Sequence, residues 1–302
     1  MKTFIDEFFN KENFLVTQYD YNYLENSQPS YHICYNVNNQ YIHIMGVSIV
    51  SVLENNKEMH FTFHIFTDGC DEENRNKVKI TYARLYMPKV LKKKVKRYIY
   101  LDADTMCIKS IRALSSLNMN GAPMGAVSER ASAIKYRADF LKLKSEKYFN
   151  DGVMLIDVNS WENASITEKA FSYQKEPRER FLGQDQDVLN LVFDGRNYQL
   201  PACYNVYDGG AYDEGNSVII HWTGRRKPWQ MVLTDFDAQW RTYNALSPWK
   251  TITNILPVKK PENYHDFQQW GRYQKARGNI SGYIKGMFWY SWLRIRYKIG
   301  IQ

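Results

Sequence analysis

The sequence predicts an α/β fold built on a largely parallel sheet, and three observations carry that prediction. Short β-branched and aromatic runs alternate with segments of helical periodicity. Two of those runs end in polar residues, Asn36 and Asn38 in one case and Asp102 and Asp104 in the other, where open α/β sheets bind ligands beyond the carboxyl ends of their strands. The chain's 302 residues, 44% of them hydrophobic, suffice for one large core.

Taken in order, "YHICYNV" (31–37) reads as a strand, and polar Asn38-Asn39 leads into a helix whose apolar stripe is Ile42, Met45, Ile49, Val50 and Leu53. "MHFTFHIFTDG" (59–69) is a second strand stopped by Asp68-Gly69. "YARLYMPKVL" is helical up to its proline, and Tyr98-Ile99-Tyr100-Leu101 is a buried strand. "GAPMGAVSE" follows, and then "YFNDGVMLIDV", in which Asn150-Asp151-Gly152 reads as a turn opening onto the strand Val153 to Ile156. "GQDQDVLNLVF" is a helix with apolar face Val188, Leu191 and Val192, capped by Asp185 or Asp187. "VIIHWTGRRKPW" places His221 at the end of a strand from Val218 to Ile220, with a backbone turn at Gly224 and Lys227 close behind.

Charge is unevenly spread. From Lys259 to Gln302 nine Lys and Arg face two acidic residues, a net +7 out of the chain's +8. The tail carries the basicity, which points to an acidic surface as its partner. Nucleic acid is disfavoured because no binding motif accompanies the charge, and "KKKVKR" (92–97) reads as a solvated turn. Cys34, Cys70, Cys107 and Cys203 are scattered without metal or disulfide spacing, so they read as small buried hydrophobes in a reducing compartment. With no long apolar span and an acidic, polar start, the sequence predicts a protein that stays on the cytoplasmic side.

Asp102 and Asp104 are two apart, so on a strand both would point to one face. A strand-ending turn accounts for such a pair, and so does a divalent cation held by hard oxygens. His221, Gly224 and Lys227 at fixed short offsets favour the second account, with imidazole on the metal and ammonium on a phosphate. Two oxygens, one nitrogen and a phosphate clamp suit Mn²⁺ or Mg²⁺ bound to a nucleotide diphosphate.

"YIYLDADTMC", "YFNDGVMLIDVNSW", "DQDVLN", "HWTGRRKPW" and "SPWK", in that order, resemble family 8 of the retaining glycosyltransferases, and within it the bacterial hexosyltransferases of the lipopolysaccharide outer core. The similarity runs from about Tyr31 to the C-terminus. It implies a GT-A, Rossmann-like catalytic domain over 31–257, an N-terminal extension over 1–30 and a basic, aromatic helical tail over 258–302. It also implies a UDP-sugar donor with Mn²⁺ or Mg²⁺. Asp102, Asp104 and His221 would be the metal ligands, and Gly224 and Lys227 would hold the diphosphate. Arg84, Asn150, Asp151, Asp185 and Gln186, with Asp102, would line the donor, and Tyr35, Asn36, Asn38 and Gln40 would face uracil and ribose. Asp185 and Gln186 are the catalytic candidates. Gln186 is a poor nucleophile, which favours attack on the same face as the departing phosphate over a covalent intermediate.

The chain departs from the family at four places, one of them a short stretch from Asn205 to Ser217. Asn38 stands where relatives usually have aspartate, and Asp151 where they have a small residue. Cys70 to Thr81 replaces a stretch roughly thirty residues longer. Glucose is the first expectation for the sugar and galactose the alternative, since one hydroxyl separates them. A metal-dependent phosphohydrolase and an inactive membrane-bound scaffold are readings from other classes. From Ile280, a helix would stack Ile284, Met287, Phe288, Trp292, Ile295 and Ile299 on one side among basic residues. That pattern fits an anionic inner-leaflet surface, giving a peripheral location on the inner face of the bacterial inner membrane.

Overall fold

The computed structural model describes residues 30–67, 80–173, 180–210, 213–224, 226–248 and 261–299. The N-terminal extension, most of the shortened stretch after residue 67, and Trp249 and Lys250 of "SPWK" lie outside them. In chain order the elements are β1 (Tyr31–Val37), α1 (Ile42–Glu54), β2 (Phe61–Thr67), a 3₁₀ segment (Ile80–Leu85), α2 (Met87–Leu91), β3 (Arg97–Leu101), β4 (Thr105–Cys107), α3 (Arg112–Ser115) and β5 (Met124–Ser128). There follow α4 (Ala131–Leu141), β6 (Phe149–Asp157), α5 (Val158–Asn163), α6 (Ile166–Ser172), α7 (Asp185–Phe193), β7 (Tyr198–Gln199), β8 (Ile219–His221), α8 (Asp235–Leu246), α9 (Tyr264–Ala276) and α10 (Ile280–Lys298). They fall into two compact units.

The first unit holds a six-stranded sheet in the order β2-β1-β3-β6-β5-β7. β1 pairs parallel with β2 and β3, and β5 with β7, while β6 runs antiparallel to both its neighbours. Five strands therefore share one direction and β6 alone opposes them. As a consequence the first residues of β6, Asn150 and Asp151, arrive at the carboxyl ends of β3 and β5. The expected turn at Asn150-Asp151-Gly152 is instead strand, and a register shift between Ala126 and Val127 lets β5 follow it. Tyr98, Tyr100, Met154, Ile156, Trp161, Phe171, Val188 and Leu189 belong to one buried cluster. Each such side chain contributes on the order of 1.5–3 kcal/mol by leaving water. Two polar side chains in this core are satisfied in sequence: Trp161 Nε1 donates to Thr167 Oγ1 (3.0 Å), whose hydroxyl donates to the Leu85 carbonyl (2.7 Å). Pro88 does not end the helix expected over "YARLYMPKVL". It lies in the first turn of α2, where its missing N–H is harmless.

The second unit contains α1, the two-stranded antiparallel ribbon β4–β8, α8 and the α9–α10 hairpin. The buried face of α1 differs from the predicted stripe. Ile44, Met45, Val47, Ser48, Ser51 and Val52 are buried, whereas Leu53 is exposed. The two serines explain the rotation, because they serve the ribbon: Ser51 Oγ accepts from the Cys107 N–H (2.9 Å), and Ser48 Oγ lies 3.1 Å from Thr105 Oγ1. α8 opens with a capping box, Thr234 and Asp237 each accepting the other's backbone N–H. In the hairpin, α9 and α10 meet at Gly271 and Gly286; a Cβ on Gly286 would stand 2.6 Å from Gly271 Cα. Phe267 stacks on Trp289 beside that contact.

Candidate functional site

In the first unit, four residues distant in sequence converge on one guanidinium. Arg84, from the 3₁₀ segment, is buried and forms ion pairs with Asp102 Oδ1 (3.1 Å), Asp151 Oδ2 (3.1 Å) and Asp185 Oδ2 (2.7 Å). Its guanidinium lies over the Tyr100 ring, 4.6 Å from the centroid, and the Tyr100 hydroxyl donates to Asp102 Oδ1 (2.8 Å). Burial would lower the pKa of Arg84, but the three carboxylates more than offset it and hold the charge firmly. One cation cannot neutralise three carboxylates. Burial accordingly pushes Asp185 up to about 6 against the pull of Arg84, with the Asp102 charge adding to the rise, and burial raises Asp151 well above the usual carboxylate range.

Gln186 sits in a second network of the same unit. Its Oε1 accepts from Asn150 Nδ2 (3.1 Å) and from the Asp151 N–H (3.4 Å), while its Nε2 donates to the Tyr148 hydroxyl (3.0 Å). That hydroxyl donates to Asp187 Oδ1 (2.6 Å), and Asp187 also pairs with Arg137 and accepts the Gly183 N–H (2.6 Å). Asn150 donates in addition to Glu129 Oε1 (3.1 Å). The Gln186 amide is thus fixed in orientation at both ends. Asp185, engaged by Arg84, does not cap α7: the N-cap is Gln184, at φ 53°, with no side-chain cap.

The second unit carries the histidine and lysine. β8 ends at His221 opposite Thr105 of β4, which places the imidazole beside Asp104, with Nε2 3.4 Å from Asp104 Oδ1. Lys227 Nζ lies 2.5 Å from Asp104 Oδ2 and also donates to the Trp222 carbonyl. Burial alone would raise Asp104, but His221 and Lys227 together hold it well below the usual carboxylate range. On the far side of the ring, His221 Nδ1 lies 2.9 Å from Asn205 Oδ1. An amide oxygen only accepts, so Nδ1 donates to Asn205, which orients the ring with Nε2 toward Asp104. Gly224 is exposed in the turn that follows.

β3 ends at Leu101, so Asp102 and Asp104 leave the strand before their side chains are set, and they do not share a strand face. Within the second unit Asp104 and His221 bring a carboxylate oxygen and an imidazole nitrogen together. A hard carboxylate oxygen and an imidazole nitrogen suit Mn²⁺ or Mg²⁺. Such an ion would neutralise charge on a diphosphate, and Lys227 is the nearby cation to share that role. The loop bearing Lys227 is anchored by Asp237, which is wholly buried and accepts from Trp222 Nε1 (2.7 Å), Arg226 Nη1 (2.7 Å) and the Leu233 N–H (2.7 Å). The same loop packs against Gly209, at φ 62°, where a Cβ would collide with Trp222 and Arg226.

Of the residues expected to face uracil and ribose, one has its side chain in the core. Tyr35 is fully buried and stacks on Phe63, so its side chain belongs to the core. Asn38 Oδ1 accepts the N–H groups of Gln40 (3.1 Å) and Tyr41 (3.2 Å), which fixes the turn before α1, and Gln40 is exposed. Asn36 is half-buried at the end of β1.

Sequence reasoning missed Asn205, Glu129, Tyr148, Arg137 and Asp237. Asn205 precedes His221 by sixteen residues, a spacing with no local signature. Asn205→Ala is expected to weaken Mn²⁺ binding by about 10–100-fold, since it frees the imidazole that it orients. Titration of the purified protein followed by the electron paramagnetic resonance of free Mn²⁺ measures this directly.

The model of glycosyl transferase family 8 matches residues 32–80 and 75–232, well over half of the chain. A lipopolysaccharide 1,2-glucosyltransferase of Escherichia coli strain K12 is 27% identical over 282 residues, covering 78% of this chain and 80% of the relative. A lipopolysaccharide 1,3-galactosyltransferase of Salmonella typhimurium is 26% identical over 304 residues, covering 82% and 88%. Among solved structures, the galactosyltransferase LgtC with donor and acceptor sugar analogues superposes with a TM-score of 0.60 at 20% identity, covering 73% of this chain and 99% of that one. The bifunctional glycosyltransferase WbbM superposes with a TM-score of 0.65 at 18% identity, and this chain spans about half (53%) of its length. At those identities the two structures share the GT-A fold with this chain.

Proposed function

The chain belongs to glycosyl transferase family 8, and from that premise we propose that it moves a hexose from a UDP-sugar onto the outer core of lipopolysaccharide with retention at the anomeric carbon. The observation that carries the proposal is the group formed in the second unit by Asp104, His221 and Lys227, read as a cation and diphosphate site to which the sequence adds Asp102 as a further ligand. Metal and Lys227 would draw charge onto the leaving diphosphate as the anomeric centre becomes oxocarbenium-like. Arg84, Asn150, Asp151, Asp185 and Gln186 supply the polar lining for the sugar. Fixed at both ends, the Gln186 amide suits orientation better than nucleophilic attack, which favours attack on the same face. Relatives of both kinds match over similar lengths, which supports either hexose; glucose is taken as the first choice of donor and galactose as the alternative. The direct test is incubation with truncated core lipopolysaccharide and each UDP-sugar. A gain of one hexose in the acceptor with an α-linkage by NMR supports the reading, whereas UDP release unaffected by acceptor favours a phosphohydrolase.

The α9–α10 hairpin is proposed as a peripheral anchor on the anionic inner leaflet. Among the described residues no helix is long and apolar enough to cross a membrane. Yet Ile284 (62%), Phe288 (60%), Trp292 (50%) and Ile295 (55%) stand exposed on α10 beside Lys285, Arg294 and Arg296. Replacing Ile284, Phe288 and Ile295 together with serine should abolish co-sedimentation with phosphatidylglycerol vesicles and leave folding intact; retained binding would remove the anchor.

A further inference from the structure

We propose that Tyr148 is a positioning residue for the transfer, its hydroxyl fixing which end of the Gln186 amide stands toward Asn150 and Asp151. The step that it serves rests on the glycosyl-transfer reading, while the hold on the amide rests on hydrogen bonds within the first unit.

The two ends of a glutamine amide have nearly the same shape and opposite hydrogen-bonding roles, so its neighbours decide which way round it stands. Here the decision starts at Asp187, whose side chain is wholly buried. Its Oδ2 takes Arg137 and the Gly183 N–H (2.6 Å), and its Oδ1 takes the Tyr148 hydroxyl (2.6 Å). A carboxylate bound to a guanidinium accepts and does not donate, so the Tyr148 proton points at Asp187. Burial first, and then the Asp187 charge, push the Tyr148 hydroxyl well above its usual range, so it keeps that proton. The Tyr148 oxygen therefore offers Gln186 a lone pair, and Nε2 is the end of the amide that can meet it (3.0 Å).

The opposite end gives the same answer independently. The Asp151 N–H (3.4 Å) is a donor, and of the two amide ends the carbonyl oxygen alone can receive it. Asn150 is oriented just as firmly: its Oδ1 accepts the Gly152 N–H (3.0 Å), which leaves Nδ2 to donate to Gln186 Oε1 (3.1 Å) and Glu129 Oε1 (3.1 Å). Gln186 Oε1 thus stands among the residues proposed to line the sugar. Its partial negative charge favours an anomeric centre becoming oxocarbenium-like, whereas an amide turned round would present N–H groups and oppose it. The Tyr148 ring packs with Ala138, Leu141 and Leu143, so Tyr148→Phe keeps the packing and removes the hydroxyl.

The test compares steady-state hexose transfer by the full-length protein as wild type, Tyr148→Phe, Gln186→Ala and the double variant, with the Gln186 side-chain amide followed by ¹⁵N NMR. A kcat about ten- to a hundredfold lower is expected in Tyr148→Phe, with donor KM within about twofold of wild type and no further loss when the change is made in Gln186→Ala. The Gln186 amide protons, identified by their absence in Gln186→Ala, should exchange with water faster in Tyr148→Phe than in wild type. Equal kcat, equal exchange, or losses that multiply in the double variant would overturn the proposal, because a hydroxyl serving the fold alone acts whether or not Gln186 is present. If Tyr148→Phe does not fold, Arg137→Met reads the same chain of contacts from its less buried end, with the same expected loss of kcat and the same absence of effect in Gln186→Ala. Wild type that transfers no hexose from any UDP-sugar, yet whose Gln186 amide is released by Tyr148→Phe, would defeat the transferase reading and leave the hold on the amide standing.

Discussion

Asp104→Ala is expected to eliminate metal-dependent UDP release, with donor turnover falling by at least about three orders of magnitude, or roughly 4 kcal/mol of transition-state stabilisation. Asp104 contacts both His221 and Lys227, so its loss would remove a proposed hard ligand and take a partner from an imidazole and an ammonium together. The change also alters the resting arrangement. Without Asp104, Lys227 keeps its bond to the Trp222 carbonyl and its place over the Trp229 ring. Asp104→Asn separates the two effects, since an amide preserves shape and one acceptor but not the charge. Turnover should remain near the alanine level, with weakened Mn²⁺ affinity. Mn²⁺ titration alongside steady-state UDP release reads both quantities.

The second large effect is on stability. Arg84→Met should destabilise the fold by about 3–5 kcal/mol at pH 7, because it leaves the buried carboxylates Asp151 and Asp185, with Asp102, lacking their shared cation. The deficit should shrink as pH falls. Asp185 is already held at about 6, and without Arg84 it and Asp151 rise further, so the folded variant binds more protons than its unfolded chain from about pH 4 upward. Stability is then retained at low pH and lost as pH rises through the folded values. Urea denaturation at pH 5 and pH 7 checks the sign, and a deficit equal at both would show that the carboxylates do not carry the effect. Arg84→Lys is not expected to rescue, since a single ammonium cannot meet three carboxylates and stack on Tyr100.

The parts of this site that sequence exposes are those written in short spacings. Asp102 and Asp104, and His221 with Lys227, were readable because the donor types recur within a few residues at the end of an apolar run. The Arg84 group was readable only as separate pieces. Its partners come from a strand end, the start of β6 and the start of α7, and nothing local says that they meet. Nor does the run Val153 to Ile156 reveal that β6 opposes its neighbours, since an apolar strand looks the same in either direction. That reversal is what carries Asn150 and Asp151 to the ligand end. On α1, periodicity pointed to Ile49, Val50 and Leu53, whereas the helix turns Ser48 and Ser51 inward because β4 needs their hydroxyls. Pro88 read as a stop and is a start. Asn205, Tyr148 and Asp237 act through other side chains, and residues of that kind leave no pattern until the fold brings their partners near.

The proposal that Asp104, His221 and Lys227 serve hexose transfer as a cation and diphosphate site is tested most directly by UDP release from UDP-glucose and UDP-galactose in turn. Purified protein is assayed with Mn²⁺ or with EDTA, beside Asp104→Ala. The account predicts release that requires Mn²⁺, favours one of the two donors and disappears in the variant. Folded protein that binds Mn²⁺ yet releases UDP from neither donor would contradict it.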